Sequence, residues 1–161
     1  MKRHKSLHEL SRHHHFALVE ALSIRRARQE PVERRPAAMK KVAETFVRFW
    51  QEKGRLHFRE EEEILLPAYA SHVSLENDPD VIRMLAEHAS LRARIGRVAL
   101  LLNAKESLES DLVELGHLLH DHIRLEENII FPRIEETLSE EELQQIGRSL
   151  TRLHPKDSCG L

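Results

Sequence analysis

Apolar residues return every three or four positions along most of this chain, the spacing of α-helices with one buried face. Leu7, Leu10, His14, Ala17, Leu18, Ala21 and Leu22 draw the first stripe, and Ser6 with Glu9 reads as the capping box that opens it. That helix is expected to run to about Gln29, before a polar loop bracketed by Pro31 and Pro36. Val42, Phe46, Phe49, Leu56, Ile64 and Leu65 predict a longer second helix. It should end near Pro67, since proline has no amide proton to continue the ladder.

Asp78-Pro79 supplies an N-cap and a first-turn proline for a third helix. Its inner face carries Val81, Met84, Leu85, His88, Leu91 and Ile95, and it stops near Asn103. A fourth is expected from about Leu108 to Phe131, with Leu112, Leu115, Leu119, His122, Ile123, Ile129 and Ile130 inward. Ser139 and Glu142 make a second capping box for a short last helix reaching about Leu153. Long helices joined by short loops predict an all-α fold, an up-down-up-down four-helix bundle with a short C-terminal helix. At 161 residues the chain is expected to be one domain, 1–161, with its core over 7–153 and a flexible tail at 154–161.

Polar residues interrupt these apolar stripes in a repeated way. His57-Phe58-Arg59-Glu60-Glu61-Glu62-Glu63-Ile64-Leu65-Leu66-Pro67 aligns without a gap on His122-Ile123-Arg124-Leu125-Glu126-Glu127-Asn128-Ile129-Ile130-Phe131-Pro132. Every matched pair (His57/His122, Glu61/Glu126, Glu62/Glu127, Pro67/Pro132) is 65 positions apart. On a helix the His and the Glu of each His-x-x-x-Glu lie one above the other on one face. The preceding helix of each hairpin adds one more inward histidine, His14 in the first and His88 in the second.

Buried imidazoles and carboxylates are costly unless paired or bound to metal. Four imidazoles and two carboxylates suit two first-row ions, each holding two histidines, with the carboxylates bridging. A single inward histidine is usually a core residue bonded to a carbonyl, and His-x-x-x-Glu is also a common surface pair. It is the conjunction of six such residues in a repeat that points to a metal site: His14, His57, Glu61, His88, His122 and Glu126. His13, His14 and His15 are consecutive, so the ligand on the first helix is open between His14, which continues the stripe, and His15. His13 is expected in a supporting or exposed role. Glu60, Glu62, Glu63 and Glu127 read as solvated or ion-paired residues, and Arg59 and Arg124 as surface or inter-helix ion-pair partners.

These motifs resemble those of the hemerythrin-like (HHE cation-binding) domain family, over roughly residues 7–153. His57-Phe58-x-x-Glu61-Glu62-x-x-x-Leu66-Pro67 is similar to the family's second-helix motif, Glu87-His88-x-x-Leu91-Arg92 to its third, and His122-x-x-x-Glu126-Glu127-x-x-x-Phe131-Pro132 to its fourth. The resemblance implies two iron ions joined by an oxo or hydroxo bridge, with manganese or zinc as alternative metals. Glu61 and Glu126 would bridge them, His14 and His57 would bind one ion, and His88 and His122 the other. It also implies a binding or sensing module for O2, NO, iron or redox state rather than an enzyme. The alternatives are a redox enzyme reducing peroxide or NO, or an iron-cluster repair protein.

Oxygen-carrying members supply a fifth imidazole from a His-x-x-x-His pair on the third helix, and here its second position is Arg92. The cluster-repair members carry a Cys-containing N-terminal domain that has no counterpart in this sequence.

Composition changes this picture little. Lys+Arg of 25 against Asp+Glu of 27 leaves a net charge of -2, which gives no field for nucleic acid or a membrane surface. The 12 histidines are the anomaly, and the repeat accounts for only part of them. No leader-like or membrane-spanning apolar run is apparent. The single Cys159 leaves no partner for an internal disulfide, as suits a cytoplasmic protein.

Overall fold

The computed structural model describes residues 3–153. The expectations for the tail at 154–161 and for Cys159 lie outside the described residues. Among these, helix is the only regular structure. A 3-10 turn, Lys5–Leu7, leads into α1, His8–Arg28. Ser6 is not the cap of α1. His4 caps the 3-10 turn by accepting from the Ser6 amide, and Ser6 instead packs against Gly147 near the C-terminus, where an added Cβ would lie 3.0 Å from Ser6 Oγ.

Helix α2 covers residues 35–70, with wide π turns at Trp50–Gly54 and Glu61–Leu65. Helix α3 is Pro79–Ala104, capped by Asp78 as expected and closed by Lys105 in the left-handed conformation. Helix α4 covers residues 109–137, with a third π turn at Glu126–Ile130. Helix α5, Glu140–Leu153, opens on the expected capping box: Ser139 Oγ accepts from the Glu142 amide, while Glu142 accepts from the Ser139 amide at 2.8 Å.

Neither Pro67 nor Pro132 ends its helix, in contrast to the sequence expectation; α2 continues to Ala70 and α4 to Thr137. The reason lies in the turn before each proline. Leu66 N–H reaches back five residues to Glu61 O, and Phe131 N–H to Glu126 O. The next residue has no N–H to give, and in an α-helix its ring would strike the carbonyl four residues back. That carbonyl, of Glu63 or Asn128, lies inside the widened turn, which moves it aside.

Helix α1 packs against α2 and α4, and α3 packs against the same two, which closes an up-down-up-down four-helix bundle. Helix α5 lies across the Lys5–Leu7 turn and the π turn Glu61–Leu65 of α2. Two apolar layers fill the interior. One gathers Ala43, Phe46, Leu91, Val98, Leu112 and Leu115. The other gathers Leu7, Leu65, Met84, Ile130, Phe131 and Ile146. Leu85 and Ile129, expected inward, are exposed. Leu85 lies one position around the helix from the buried Met84, and the π turn carries Ile130 rather than Ile129 to the inside.

Candidate metal centre

Between the two apolar layers the stripes of all four bundle helices turn polar. His14 of α1 sits between Leu10 and Ala17, His88 of α3 between Met84 and Leu91, and His57, Glu61, His122 and Glu126 occupy the matching depth on α2 and α4. All six are buried, Glu61, Glu126 and His88 completely. Two of the π turns, Glu61–Leu65 and Glu126–Ile130, begin at the carboxylates of the two motifs. His15, the alternative on α1, is exposed.

The imidazoles converge in two pairs. His14 Nε2 and His57 Nε2 approach to 2.8 Å, and the rings of His88 and His122 meet edge to face at 4.8 Å. Both carboxylates face both pairs. Glu61 Oε1 lies 3.1 Å from His57 Nε2 and 3.5 Å from His14 Nε2, while its Oε2 lies 3.3 Å from His88 Nε2. Glu126 Oε2 lies 2.9 Å from His14 Nε2, and its Oε1 is 3.0 Å from His122 Nε2 and 3.4 Å from His88 Nε2. Donor atoms of His14, His57, Glu61 and Glu126 are close enough to share one ion, and so are those of His88, His122 and Glu126.

The cluster is electrostatically tight. Burial pushes imidazoles down, yet the carboxylates hold His14 well above its ordinary value, raise His57, and push His88 up to about 10. Burial pushes Glu61 up, and so do burial and neighbouring Glu61 for Glu126. Facing imidazoles outweigh this and hold both below the ordinary carboxylate range.

A ring of carboxylates and arginines fixes the outer nitrogens. His14 Nδ1 lies 2.6 Å from Glu127 Oε1, and His88 Nδ1 lies 2.7 Å from Glu62 Oε1. Glu127 and Glu62 are the second acids of the two repeated Glu-Glu doublets. Each is gripped on its far side by an arginine, Arg3 at 2.7 Å and Arg92 at 2.8 Å. The stacking repeats too. His14 lies on Phe131 with Arg3 5.1 Å above that ring, and His88 lies on Phe58 with Arg92 at the same distance. His122 Nδ1 bonds Glu87 at 3.0 Å.

From the sequence, Glu62 and Glu127 read as solvated or ion-paired residues. Their ion pairs are present, and the same carboxylates also orient the imidazoles, which the repeated doublet could have signalled. Arg3 carries no sequence signal for its place. Arg59 is a surface ion-pair partner of Glu63, as expected.

The donor atoms suit a cation better than they suit one another. Both oxygens of Glu61 and of Glu126, with His88 Nε2 and His122 Nε2, are buried without a hydrogen-bond partner among the described residues. Unsatisfied buried polar atoms are rare in native proteins, and a shared ion satisfies them together. The model of the hemerythrin HHE cation binding domain matches residues 6–134. The chain belongs to the hemerythrin family. The family match takes in α1, α2, α3 and α4 as far as Ile134, and leaves α5 outside it. No curated protein and no solved structure matches the chain. Family membership and the buried His/Glu cluster make this a metal-binding protein. None of the described helices is long and apolar enough to cross a membrane.

Proposed function

We propose that this hemerythrin-family protein holds two iron ions between Glu61 and Glu126 and uses them to bind or sense a small diatomic ligand, O2 or NO. The observation that carries the proposal is the double facing of the carboxylates: each presents one oxygen to the His14/His57 pair and the other toward the His88/His122 pair. His14 and His57 would then hold one ion and His88 and His122 the other. Two such ions supply one-electron redox chemistry and open coordination positions.

The chain's own residues set the conditions. Glu62, Glu87 and Glu127 fix three of the imidazoles so that the Nε2 atoms point inward. An apolar pocket lined by Ala17, Phe46, Phe49, Trp50, Leu91 and Ile95 opens beside His14, His57 and His122. Its walls offer an uncharged diatomic molecule a dry approach and disfavour hydrated ions. Six protein donors leave places free on the ions, which suits binding. The same donors also serve peroxide or NO reduction, and turnover beyond one equivalent under reducing conditions would separate that activity from sensing.

The test is elemental analysis after anaerobic iron loading, followed by absorption spectra before and after exposure to O2 and to NO. The expected result is two irons per chain and a ligand-dependent spectrum. Absence of bound iron, or spectra unchanged by either gas, would overturn the proposal. Loaded at about 100 times Kd, the protein should gain about 3 kcal/mol of stability over the chelated form.

A further inference from the structure

The two halves of the site share their six inward residues but differ behind His57 and His122. In α3, Glu87 precedes His88 and accepts directly from His122 Nδ1. In α1 the residue preceding His14 is His13. In α4, Leu125 precedes Glu126, whereas in α2 the residue before Glu61 is Glu60. Behind His122 there is thus a carboxylate and a leucine; behind His57 there is an imidazole and a carboxylate. Leu125 and Glu60 are both buried, Glu60 completely.

We propose that His13, His57 and Glu60 form a further cation site, distinct from the six-residue cluster and joined to it through His57. Donor atoms of the three lie close enough together to share one ion, and all three residues are buried. His13 Nδ1 is 3.3 Å from Glu60 Oε2. His57 Nδ1, on the opposite side of the ring from the nitrogen facing His14, is 3.8 Å from the same oxygen, too far for a hydrogen bond. That nitrogen is buried and has no hydrogen-bond partner among the described residues. The rings of His13 and His57 stand edge to face at 5.4 Å, so that their nitrogens flank one space.

Glu9, half-exposed on α1, lies 3.2 Å from His13 Nε2 and sets that ring's orientation, the arrangement in which a carboxylate aims a metal-binding histidine. Two imidazoles and one carboxylate with a position left open are the donor set of three-ligand zinc sites. The occupant is therefore a divalent first-row cation of the Zn2+ type. With both sites filled, His57 bridges them as an imidazolate, Nε2 toward the cluster and Nδ1 toward Glu60, its ring proton released to solvent.

The inference shares His57 with the proposed iron centre, and the other half of the molecule supplies the control. His13→Glu/Glu60→Leu copies the arrangement already present behind His122. Metal-free protein is loaded with Zn2+, passed over a desalting column and measured by native mass spectrometry, with anomalous diffraction at the zinc edge locating each ion. Three ions in the wild type, one of them between His13, His57 and Glu60, and two in the double variant are expected. His13→Ala, which leaves the buried Glu60 in place, should also hold two. Two ions in the wild type would overturn the further site and leave the iron centre standing; three ions in the variants would put the third elsewhere and overturn it as well. No tightly held ion in the wild type would sink both.

Discussion

Arg92 grips Glu62 at 2.8 Å, and Glu62 in turn lies 2.7 Å from His88 Nδ1. The position at which an oxygen carrier would have a fifth histidine is therefore given to a residue that acts two steps away, through a carboxylate. Arg92→Ala should leave folding almost unchanged, since a partly exposed ion pair contributes only about 0–1 kcal/mol. It should weaken cation binding by about 10- to 100-fold by freeing the carboxylate that orients His88. A chelator competition titration beside a thermal melt separates the two effects. Equal affinity with a lowered melting temperature would refute the link.

Glu61 and Glu126 are expected to be unequal to any other acid in the chain. Glu61→Ala/Glu126→Ala should abolish binding of both cations in elemental analysis of dialysed protein, because each carboxylate faces both imidazole pairs. Retention of two ions would show that these groups do not bridge. By contrast, Glu63→Ala, which breaks only the exposed pair with Arg59, should retain the wild-type metal content.

The metal-free chain should lose stability as pH rises. Burial would lower His88, but Glu126 and Glu61 push it up to about 10, from 6.5. A group raised on folding contributes fully below its unfolded value and loses that contribution as pH climbs through its folded value. Chelated protein should therefore melt at a lower temperature near pH 9 than near pH 6, with a smaller drop in His88→Gln. Cation uptake runs the other way. Protons on the imidazoles must leave first, so affinity should rise with pH in a competition titration.

A side chain at Gly54 should destabilise the bundle. A Cβ there would run into Trp50 Cε3, inside the π turn Trp50–Gly54, and Trp50 is itself held edge-on to Phe58. Gly54→Ala should cost about 1–3 kcal/mol through overpacking, measurable by urea denaturation. An unchanged midpoint would mean that the indole moves freely.

Much of this was legible because two kinds of information coincide in the sequence. The apolar stripes locate the helices, and His14, His57, Glu61, His88, His122 and Glu126 interrupt those stripes at one depth. What remained hidden depends on contacts between helices. Glu62 and Glu127 lie off the stripes and look like surface acids until His88 and His14 are placed against them. Arg3 is far from every motif in sequence and reaches Glu127 and Glu135 only once the 3-10 turn has set its direction. The two prolines misled for a local reason, since a stop signal in an α-helix is tolerated where the preceding turn is already wide.

That tolerance ties the molecule to its residue count. Each π turn admits one residue more than an α-turn would, so the segments on either side are out of phase by about 100° if counted as one continuous α-helix. Closing the turn Glu61–Leu65 to α geometry with every residue kept would rotate everything beyond it. Leu66 and Tyr69, both buried, would swing off the inner face while every side chain kept its identity. At these two turns the extra residue is absorbed where it stands: a single-residue deletion there closes the turn and keeps the phase of α2 or α4 beyond it. The same deletion in an ordinary α-turn would act as a frameshift does on a message.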